Sequence, residues 1–456
     1  MNWFTEQWEE AKQNFTEHKA SYLLLWLSVI IRMAYINRDV FIDEAFSYFF
    51  SKMSFFFIIS GNDTHPPLFY LILKPFSLLF GNNIIMLRQL PMFIWILFFV
   101  FTYNFVSERH GKQVAIYTMA FLSLSPTMIF YSTNLRMYML LLLFMVLNFW
   151  AFFRFLDKPN RKTTLLYVLT CLLVLYTHLF GALFLAVELI YAFFKKVSPK
   201  WLILSFGAIA IGFLPQFEVT LKVYLNHPSF HFAETSLISL ISTYSYMFSP
   251  PSARIGLFFI FLFVLFMFVA IYAIKPQIRK YWFYYACLLI PIPLFLLSKL
   301  TGIYHHRLFL PMIIPFYIIL AILLHKIALK SGKTTEQDFV MGMYVVAVIF
   351  SLMVCSGEIF AYNDQQIMSD AEKMNPNIPI IHPYAITYLP YKFYYENSPN
   401  RTNYLWQMPD FTFGSSVITD KDFYSVYPQE HLIVEHIFEN ETMTGYRLRY
   451  VNATKN

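Results

Sequence analysis

Long apolar runs are the feature that most constrains this chain. Crossing the hydrocarbon core of a bilayer takes about 17–25 mostly apolar residues, and we identify eleven candidate spans. They are 20–37, 88–106, 113–131, 136–154, 163–178, 179–194, 200–217, 255–274, 281–298, 308–325 and 339–357. Hydrophobic residues make up 58% of the 456 residues and charged residues only 13%, far outside the usual composition of soluble domains. The sequence therefore predicts an all-α polytopic membrane domain over residues 20–357.

Lysine and arginine residues predict the orientation of these spans, because short cytoplasmic loops hold an excess of them. With a cytoplasmic N-terminal segment, residues 1–19, five basic clusters fall on the cytoplasmic side. The clusters lie at 109–112, 158–162, 195–200, 275–280 and 326–333. The net charge of +7 is thus spread between apolar runs rather than gathered on one basic face, so no nucleic-acid partner is expected. We expect a multi-pass protein of the plasma membrane.

This orientation requires that residues 67–80 do not cross the membrane. The segment is too short to span comfortably and carries Lys74-Pro75 in its middle, so we interpret it as an interfacial helix on the outer face. Residues 38–87 then form a first outer loop with juxtamembrane helices, and residues 218–254 form a second outer loop. Residues 358–456 alternate turn residues with strand-like runs, which predicts a small mixed α/β domain outside the cell.

Adjacent carboxylates in the first outer loop form the first candidate site. Asp43 and Glu44 directly follow the first span. A carboxylate at that depth is partly desolvated, which raises its pKa and suits it to take a proton from a hydroxyl group. The same pair could instead be two acids at a helix start, where they complement the helix dipole.

A second polar group follows in the same loop. Asp63 and His65 are one residue apart and stand before Pro66-Pro67, which fixes the direction of the backbone. Both side chains are potential metal ligands or hydrogen-bonding partners, and an ordinary turn before a helix is the alternative. The three cysteines lie apart in apolar runs, without the spacing of a disulfide framework or thiolate metal site.

Cationic side chains recur at the expected outer ends of later spans. Arg136 could hold a phosphate bidentately near the lipid headgroups, with Tyr138 as a further donor, or it could simply extend to the interface. His178 ends the fifth span, where a packed histidine is the common alternative to a ligand. His306 and Arg307 precede the tenth span and make a second phosphate contact plausible.

Two further charged residues favour a different function. Arg32 lies near the outer end of the first span and Glu188 lies inside the sixth. Ionisable groups within spans occur in transporters and flippases of lipid-linked substrates, although structural pairing explains them equally well. A membrane scaffold acting through its outer tail is a third alternative, in which the acidic residues of the first loop would be dispensable.

Six motifs in sequence resemble the GT-C superfamily of integral-membrane glycosyltransferases, specifically the group related to protein O-mannosyltransferases and aminoarabinose transferases. The motifs are DEA (43–45), DTHPPLFY (63–70), LRQLP (87–91), SPTMIFYSTNLRMY (125–138), YTHLFG (176–181) and HRLFLPMIIP (306–315). In order and spacing they cover most of residues 20–325.

The resemblance implies an inverting glycosyltransferase that acts on the outer face of the membrane. Its donor is a sugar on a polyprenyl phosphate, and its acceptor is a hydroxyl of a protein, a glycolipid or a wall polymer. Asp43 matches the catalytic carboxylate, with Glu44 beside it, and Arg136 and Arg307 match the arginines that bind the lipid phosphate. We expect no obligatory metal, because cationic side chains can replace it, while Asp43, Asp63 and His65 leave a divalent metal open.

Overall fold

The computed structural model describes the greater part of the chain. The described residues are 2–60, 65–226, 236–247, 278–301, 304–331, 380–382, 385–395, 403–405, 430–439 and 442–452. Asp63 and the spans expected at 255–274 and 339–357 lie outside these ranges.

Helices dominate the described residues before 332. They are α1 (Asn2–Tyr35), α2 (Ile42–Lys52), α3 (Phe55–Ser60), α4 (Leu68–Phe80), α5 (Ile84–Leu87), α6 (Gln89–His110), α7 (Lys112–Leu124), α8 (Pro126–Ser132), α9 (Tyr138–Asp157), α10 (Arg161–Thr177), α11 (Gly181–Phe194), α12 (Pro199–Asn226), α13 (Leu237–Ser245), α14 (Ile278–Leu289), α15 (Pro291–Thr301), a 3₁₀-helix (His306–Met312) and α16 (Ile313–Ser331). This arrangement confirms the helical, multi-pass character that the apolar runs predict.

Five stretches of helix in the described residues are long and apolar enough to cross a membrane. They are Ile84–His110, Tyr138–Asp157, Pro199–Lys222, Lys280–Ser298 and His306–Lys326. Each contains or largely overlaps an expected span. The bent pair α7 and α8 would make a sixth, and it matches the span expected at 113–131. The full count of eleven stays a prediction.

The bend between α7 and α8 has a local cause in the sequence. The Ser125 hydroxyl caps α8 by accepting from the Met128 amide, and Pro126 occupies the first turn of α8, where its missing N–H costs nothing. The two helix axes differ by 69°. As a result, α8 turns away from α7 and brings residues 133–137 beside the first outer loop.

Helices α2, α3 and α4 build the first outer loop, and a lysine joins two of them. The Lys74 ammonium on α4 donates to the carbonyl of Met53 at 2.6 Å and to that of Ser51 at 3.3 Å. These carbonyls belong to the C-terminal end of α2, where a cation complements the helix dipole. Lys74, which argued against a membrane span in the sequence, therefore fastens α4 to α2.

The C-terminal part of the chain contains strands. They are β1 (Ile380–His382), β2 (Asn403–Leu405), β3 (Glu430–Glu439) and β4 (Thr442–Asn452), and they form one sheet in the order β2-β1-β3-β4. Strand β1 runs parallel to β2 and to β3, whereas β3 and β4 pair antiparallel with Glu430 opposite Asn452. Helix α17 (Ala385–Tyr395) follows β1. Placement of this segment outside the cell stays a prediction.

Aromatic side chains fill the centre of the helical part. Phe149, Phe152 and Phe155 of α9 are fully buried, and the Phe152 ring packs at a tilt against Tyr167 of α10 and Phe283 of α14 at centroid distances of 5.4 and 5.6 Å. Such rings bury large apolar areas. This phenylalanine-rich region therefore serves packing between helices.

Candidate active site

Glu44 is the centre of a buried ion-pair network. Its carboxylate accepts two hydrogen bonds from Arg88, at 2.7 and 2.9 Å, and two from Arg38, at 3.1 and 3.3 Å. It also accepts from the backbone amides of Phe41 and Leu135. Burial by itself would raise the pKa of Glu44, but the two arginines outweigh burial and lower it to about 2.

This network argues against the expected catalytic role for Glu44. With six hydrogen bonds to its two oxygens, the carboxylate has no lone pair left for a substrate proton. The bond from Phe41 closes one half of a capping box at the start of α2, and the bond from Leu135 holds the turn between α8 and α9. Glu44 therefore holds the backbone next to Asp43, and a catalytic role for it stays a prediction.

Asp43 also lies in the first turn of α2, but its partners differ from those of Glu44. Its Oδ2 atom accepts a hydrogen bond from Arg307 at 2.7 Å, and its backbone carbonyl accepts one from Arg136 at 3.4 Å. The Asp43 side chain is 9% exposed and that of Arg307 is 34% exposed. Asp43 is thus nearly enclosed, while its arginine partner reaches open space.

The expected increase in the pKa of Asp43 is wrong. Burial does act to raise the pKa, but attraction to the charges of Arg136, Arg307 and His65 is stronger, and the net pKa lies below its ordinary value. Sequence reasoning considered the depth of the carboxylate without the cations around it. Asp43 is therefore ionised at neutral pH.

Two helix starts bring the arginines to Asp43. Arg136 lies in the turn between α8 and α9, and its guanidinium also donates to the Ser47 hydroxyl on α2 at 3.2 Å. Arg307 lies in the 3₁₀-helix before α16, with its amide and side chain donating to Nδ1 of His305. Both arginines that match the phosphate-binding positions of the family therefore contact Asp43, one at its carboxylate and one at its backbone carbonyl. Their role in phosphate binding stays a prediction.

His65, His178 and Tyr138 form one wall of the site. The His178 ring lies 5.8 Å from the ring of His65 and 5.8 Å from that of Tyr138, centroid to centroid. His178 sits at the end of α10, directly before the tight turn into α11. Gly181 is required in that turn, since a Cβ atom there would lie 2.2 Å from Cγ1 of Val174. The YTHLFG motif therefore fixes the position of a histidine.

A neighbouring aromatic group contains His306 and two tyrosines that the sequence analysis did not single out. The His306 ring lies 4.4 Å from that of Tyr246, and the hydroxyls of Tyr246 and Tyr131 share a hydrogen bond. Tyr131 in turn lies 4.8 Å from Tyr138, ring to ring. Tyr131 belongs to a quoted motif, whereas nothing in the sequence around Tyr246 marked it.

Arg38 and Arg88 were also missed as site residues. Arg88 is fully buried and donates to the carbonyls of Ile36, Arg38 and Asp39 in addition to Glu44. Its place in the LRQLP motif was a usable signal. A single arginine thus joins α6 to the loop that leads into α2.

A metal site has limited support in the described residues. Among them, no group of three or more histidine, cysteine, aspartate or glutamate side chains has the arrangement of metal ligands. Asp43 and His65 are described, but Asp63 lies outside the described residues. The metal set that the sequence left open therefore stays untested.

An apolar cavity of about 650 Å³ lies between four of the helices. It lies between the outer helices α3 and α4 on one side and α10 and α12 on the other. Its lining includes Leu68, Leu71, Leu172, Tyr176 and Pro215. Pro67 also lines the cavity and stands two residues after His65.

The two charged residues that favoured a transporter have local partners. Arg32 is fully buried, donates to Ser132 at 2.7 Å and packs 3.6 Å above the Trp95 ring. Glu188 accepts from the Tyr167 hydroxyl at 2.9 Å. These contacts join neighbouring helices, and they agree with structural pairing rather than with a path for a charged substrate.

One family model matches part of this chain. The family model of dolichyl-phosphate-mannose-protein mannosyltransferase matches residues 64–217, less than half of the chain. No curated protein matches the sequence significantly.

Two solved structures have a similar fold. The apo structure of ArnT from Cupriavidus metallidurans has a TM-score of 0.61 and 13% sequence identity, covering 91% of this chain and 92% of that one. The structure of the same protein bound to undecaprenyl phosphate has a TM-score of 0.59 and 12% identity, covering 92% and 93%. At such identities the likeness concerns the fold. The chain therefore has the fold of the GT-C superfamily glycosyltransferases, which confirms the resemblance of its sequence motifs.

Proposed function

We propose that this protein is an inverting glycosyltransferase that moves a sugar from a polyprenyl-phosphate donor to a hydroxyl acceptor at the outer face of the membrane. The observation that carries the proposal is the pairing of Asp43 with two arginines. Arg307 contacts its carboxylate at 2.7 Å, and Arg136 contacts its backbone carbonyl at 3.4 Å. One base and two cations thus meet in one place.

Binding of a lipid phosphate explains the exposure of Arg307 better than a purely structural role does. A structural pair is expected to be enclosed on both sides, as Glu44 and Arg88 are. The Arg307 side chain is instead 34% exposed, so part of its guanidinium fork remains open to a further anion. Guanidinium groups bind phosphate oxygens bidentately. We infer that the donor phosphate binds Arg307 directly. Arg136 is only 3% exposed, and it contributes its positive charge from its place at the Asp43 carbonyl.

The transfer then follows from the positions of base and cations. Asp43 takes the proton of the acceptor hydroxyl as its oxygen attacks the anomeric carbon. The bond from that carbon to the phosphate oxygen breaks on the opposite face, which inverts the configuration. The leaving polyprenyl phosphate keeps the electron pair, and the guanidinium groups stabilise its charge. With this cationic pair, no metal is obligatory for the reaction.

The lowered pKa of Asp43 suits this order of events. Before the donor binds, the arginines keep the Asp43 carboxylate ionised at neutral pH, so it is not blocked by a bound proton. The phosphate of the donor brings a negative charge that offsets Arg136 and Arg307. The pKa of Asp43 therefore rises in the complex, and the carboxylate becomes a stronger base when the acceptor is present.

The apolar cavity supplies room for the lipid chain of the donor. Its volume of about 650 Å³ is lined mainly by leucine, isoleucine and proline side chains, and Pro67 in its lining stands two residues after His65. A likeness to ArnT bound to undecaprenyl phosphate supports a lipid-linked donor of this type. In this proposal the N-terminus is cytoplasmic, the C-terminal segment lies outside, and the acceptor is a protein, a glycolipid or a wall polymer.

The test compares wild type with Asp43→Asn. Purified protein is incubated with a panel of polyprenyl-phosphate sugars and membrane extract, and transferred sugar is measured. We expect the variant to lose at least about a hundredfold in rate, since general-base catalysis contributes about 10²–10⁴. Asp157→Asn, which removes an exposed carboxylate at the far end of α9, is the control. A folded Asp43→Asn protein that transfers sugar like wild type would refute the assignment of the base.

A further inference from the structure

Helix α17 from the C-terminal part of the chain packs against α2, the helix that carries Asp43. Four of its side chains, those of Tyr388, Leu389, Tyr391 and Phe393, are at most 3% exposed. The Phe393 ring meets the fully buried ring of Tyr48 on α2 edge to face, with centroids 4.9 Å apart. A helix more than 330 positions away in the sequence therefore covers one side of α2.

The end of α17 also binds the backbone just before α2. The Val40 amide donates a hydrogen bond to the Tyr394 hydroxyl at 2.9 Å. The next amide, that of Phe41, donates to Glu44 at 3.1 Å. Two consecutive amides are thus fixed immediately before the first turn of α2, one by the network of Glu44 and the other by α17.

A second contact holds the same end of α17 from the other side of the loop. The Asn82 side chain, in the connection from α4 to α5, donates to the carbonyl of Phe393 at 2.9 Å. The end of α17 therefore bridges the segment that leads into α2 and the segment that leaves α4. Both segments belong to the first outer loop.

We propose that α17 is a positioning element for sugar transfer and that Tyr394 is its positioning residue, acting on Asp43 through the amide of Val40. This inference rests on the proposed function. Val40 is three residues before Asp43, and a shift of about 1 Å in a reacting group can cost a hundredfold in rate. Since α17 connects β1 to β2, the C-terminal segment takes part in catalysis by setting the position of the base.

The experiment removes one hydroxyl and keeps the ring. In Tyr394→Phe we expect kcat to fall about tenfold, the size expected for one lost hydrogen bond, with KM for the donor unchanged within about twofold. Amide hydrogen exchange of residues 38–52 should be about tenfold faster than in wild type, because the start of α2 opens more often. Tyr285→Phe is the matched control: the Tyr285 hydroxyl has no hydrogen-bond partner in the described part of the chain.

A second background tests whether Tyr394 acts through Asp43. In Asp43→Asn, the further change Tyr394→Phe should leave the residual rate unaltered, since two residues that act through one group are not additive. The proposal would be overturned if the rate losses of Asp43→Asn and Tyr394→Phe multiplied in the double variant. It would also be overturned if Tyr394→Phe alone changed neither kcat nor the amide exchange rates. A wild type without transfer activity would refute the proposed function, and the exchange rates would still decide whether Tyr394 fixes the start of α2.

Discussion

Pairs of a glutamate with an arginine occur at both ends of the helical part, but in different surroundings. Helices α6 and α9 each run from the site end, at Arg88 and Tyr138, to an opposite end about 30 Å away, given 1.5 Å per residue. At the site end, the side chains of Glu44 and Arg88 are both 0% exposed. At the opposite end, those of Glu108 and Arg154 are 50% and 47% exposed.

The difference shows which charges the fold has to organise. A buried ion pair recovers its desolvation cost only when hydrogen bonds satisfy its remaining atoms, and Glu44 meets that condition with two arginines and two backbone amides. The Glu108 pair stays in solvent, where such pairs contribute little. Charge at the site end therefore holds a defined geometry, whereas charge at the opposite end stays in contact with solvent.

The largest difference between the two ends is expected in stability, when one carboxylate charge is removed at each end. Glu44→Gln leaves Arg88 and Arg38 buried without their counter-charge, and we expect a loss of about 3–5 kcal/mol in the free energy of unfolding. Glu108→Gln should cost about 0–1 kcal/mol. Thermal unfolding in detergent measures both. Equal losses in the two variants would mean that burial does not separate the two ends.

Arginine replacement should affect donor binding at the site end alone. Arg307→Lys keeps the positive charge but loses the planar fork, so we expect kcat/KM for the donor to fall about 10–100-fold, in line with the loss of hydrogen bonds to a charged group. The comparison variant is Arg109→Lys, in which the pair with Asp157 at the opposite end is altered. Its kinetics should match wild type within about twofold. A wild-type kcat/KM in Arg307→Lys would exclude Arg307 from phosphate binding.

The pH dependence of transfer should separate the free protein from its complex. Asp43 has to be ionised to act as a base, so the rate falls as the pH drops through its pKa. In the free protein, Arg136 and Arg307 outweigh burial and lower that pKa, which puts the acid limb of kcat/KM below the ordinary value of 3.8. The bound phosphate offsets the arginines, so the acid limb of kcat should lie at higher pH. Coinciding limbs would contradict a shared site for phosphate and base.

Filling the cavity should give the smallest effect and localise the lipid chain. Leu172→Trp replaces a leucine of the cavity lining with a bulky indole ring. We expect KM to rise about three- to tenfold for a long-chain donor, because a contact of a few methylene groups is lost. KM for a short-chain donor should stay unchanged. Leu165→Trp lies on the same helix but is 59% exposed, and it should change neither value. Equal effects of both variants would place the chain elsewhere.

Some of the site could be read from the sequence because it depends on local pattern. The motif around Asp43, the arginine after the third span and the HRLFLP segment each stand at the end of an apolar run. Helix ends on one side of a membrane share a surface, so Asp43, Arg136 and Arg307 were expected together. The structure joins Asp43 and Arg307 across 264 positions.

Other parts of the site could not be predicted in this way. Asp43 and Glu44 are neighbours in sequence, yet they point to different surroundings. Glu44 meets Arg88 and the Leu135 amide, which are 44 and 91 positions away. The sign of the pKa shift at Asp43 likewise depends on which cations surround it. Tyr246 and Tyr394 carry no local signal at all.

The sequence by itself determined that this chain forms long apolar helices with charged residues near their ends, because hydrophobic length and charge are properties of each segment alone. Only the tertiary structure decided that Glu44 is enclosed by two arginines, that Asp43 pairs with the partly exposed Arg307, and that α17 covers α2. These outcomes depend on distances between charges and amides from separate segments, and such distances exist only once the helices have packed.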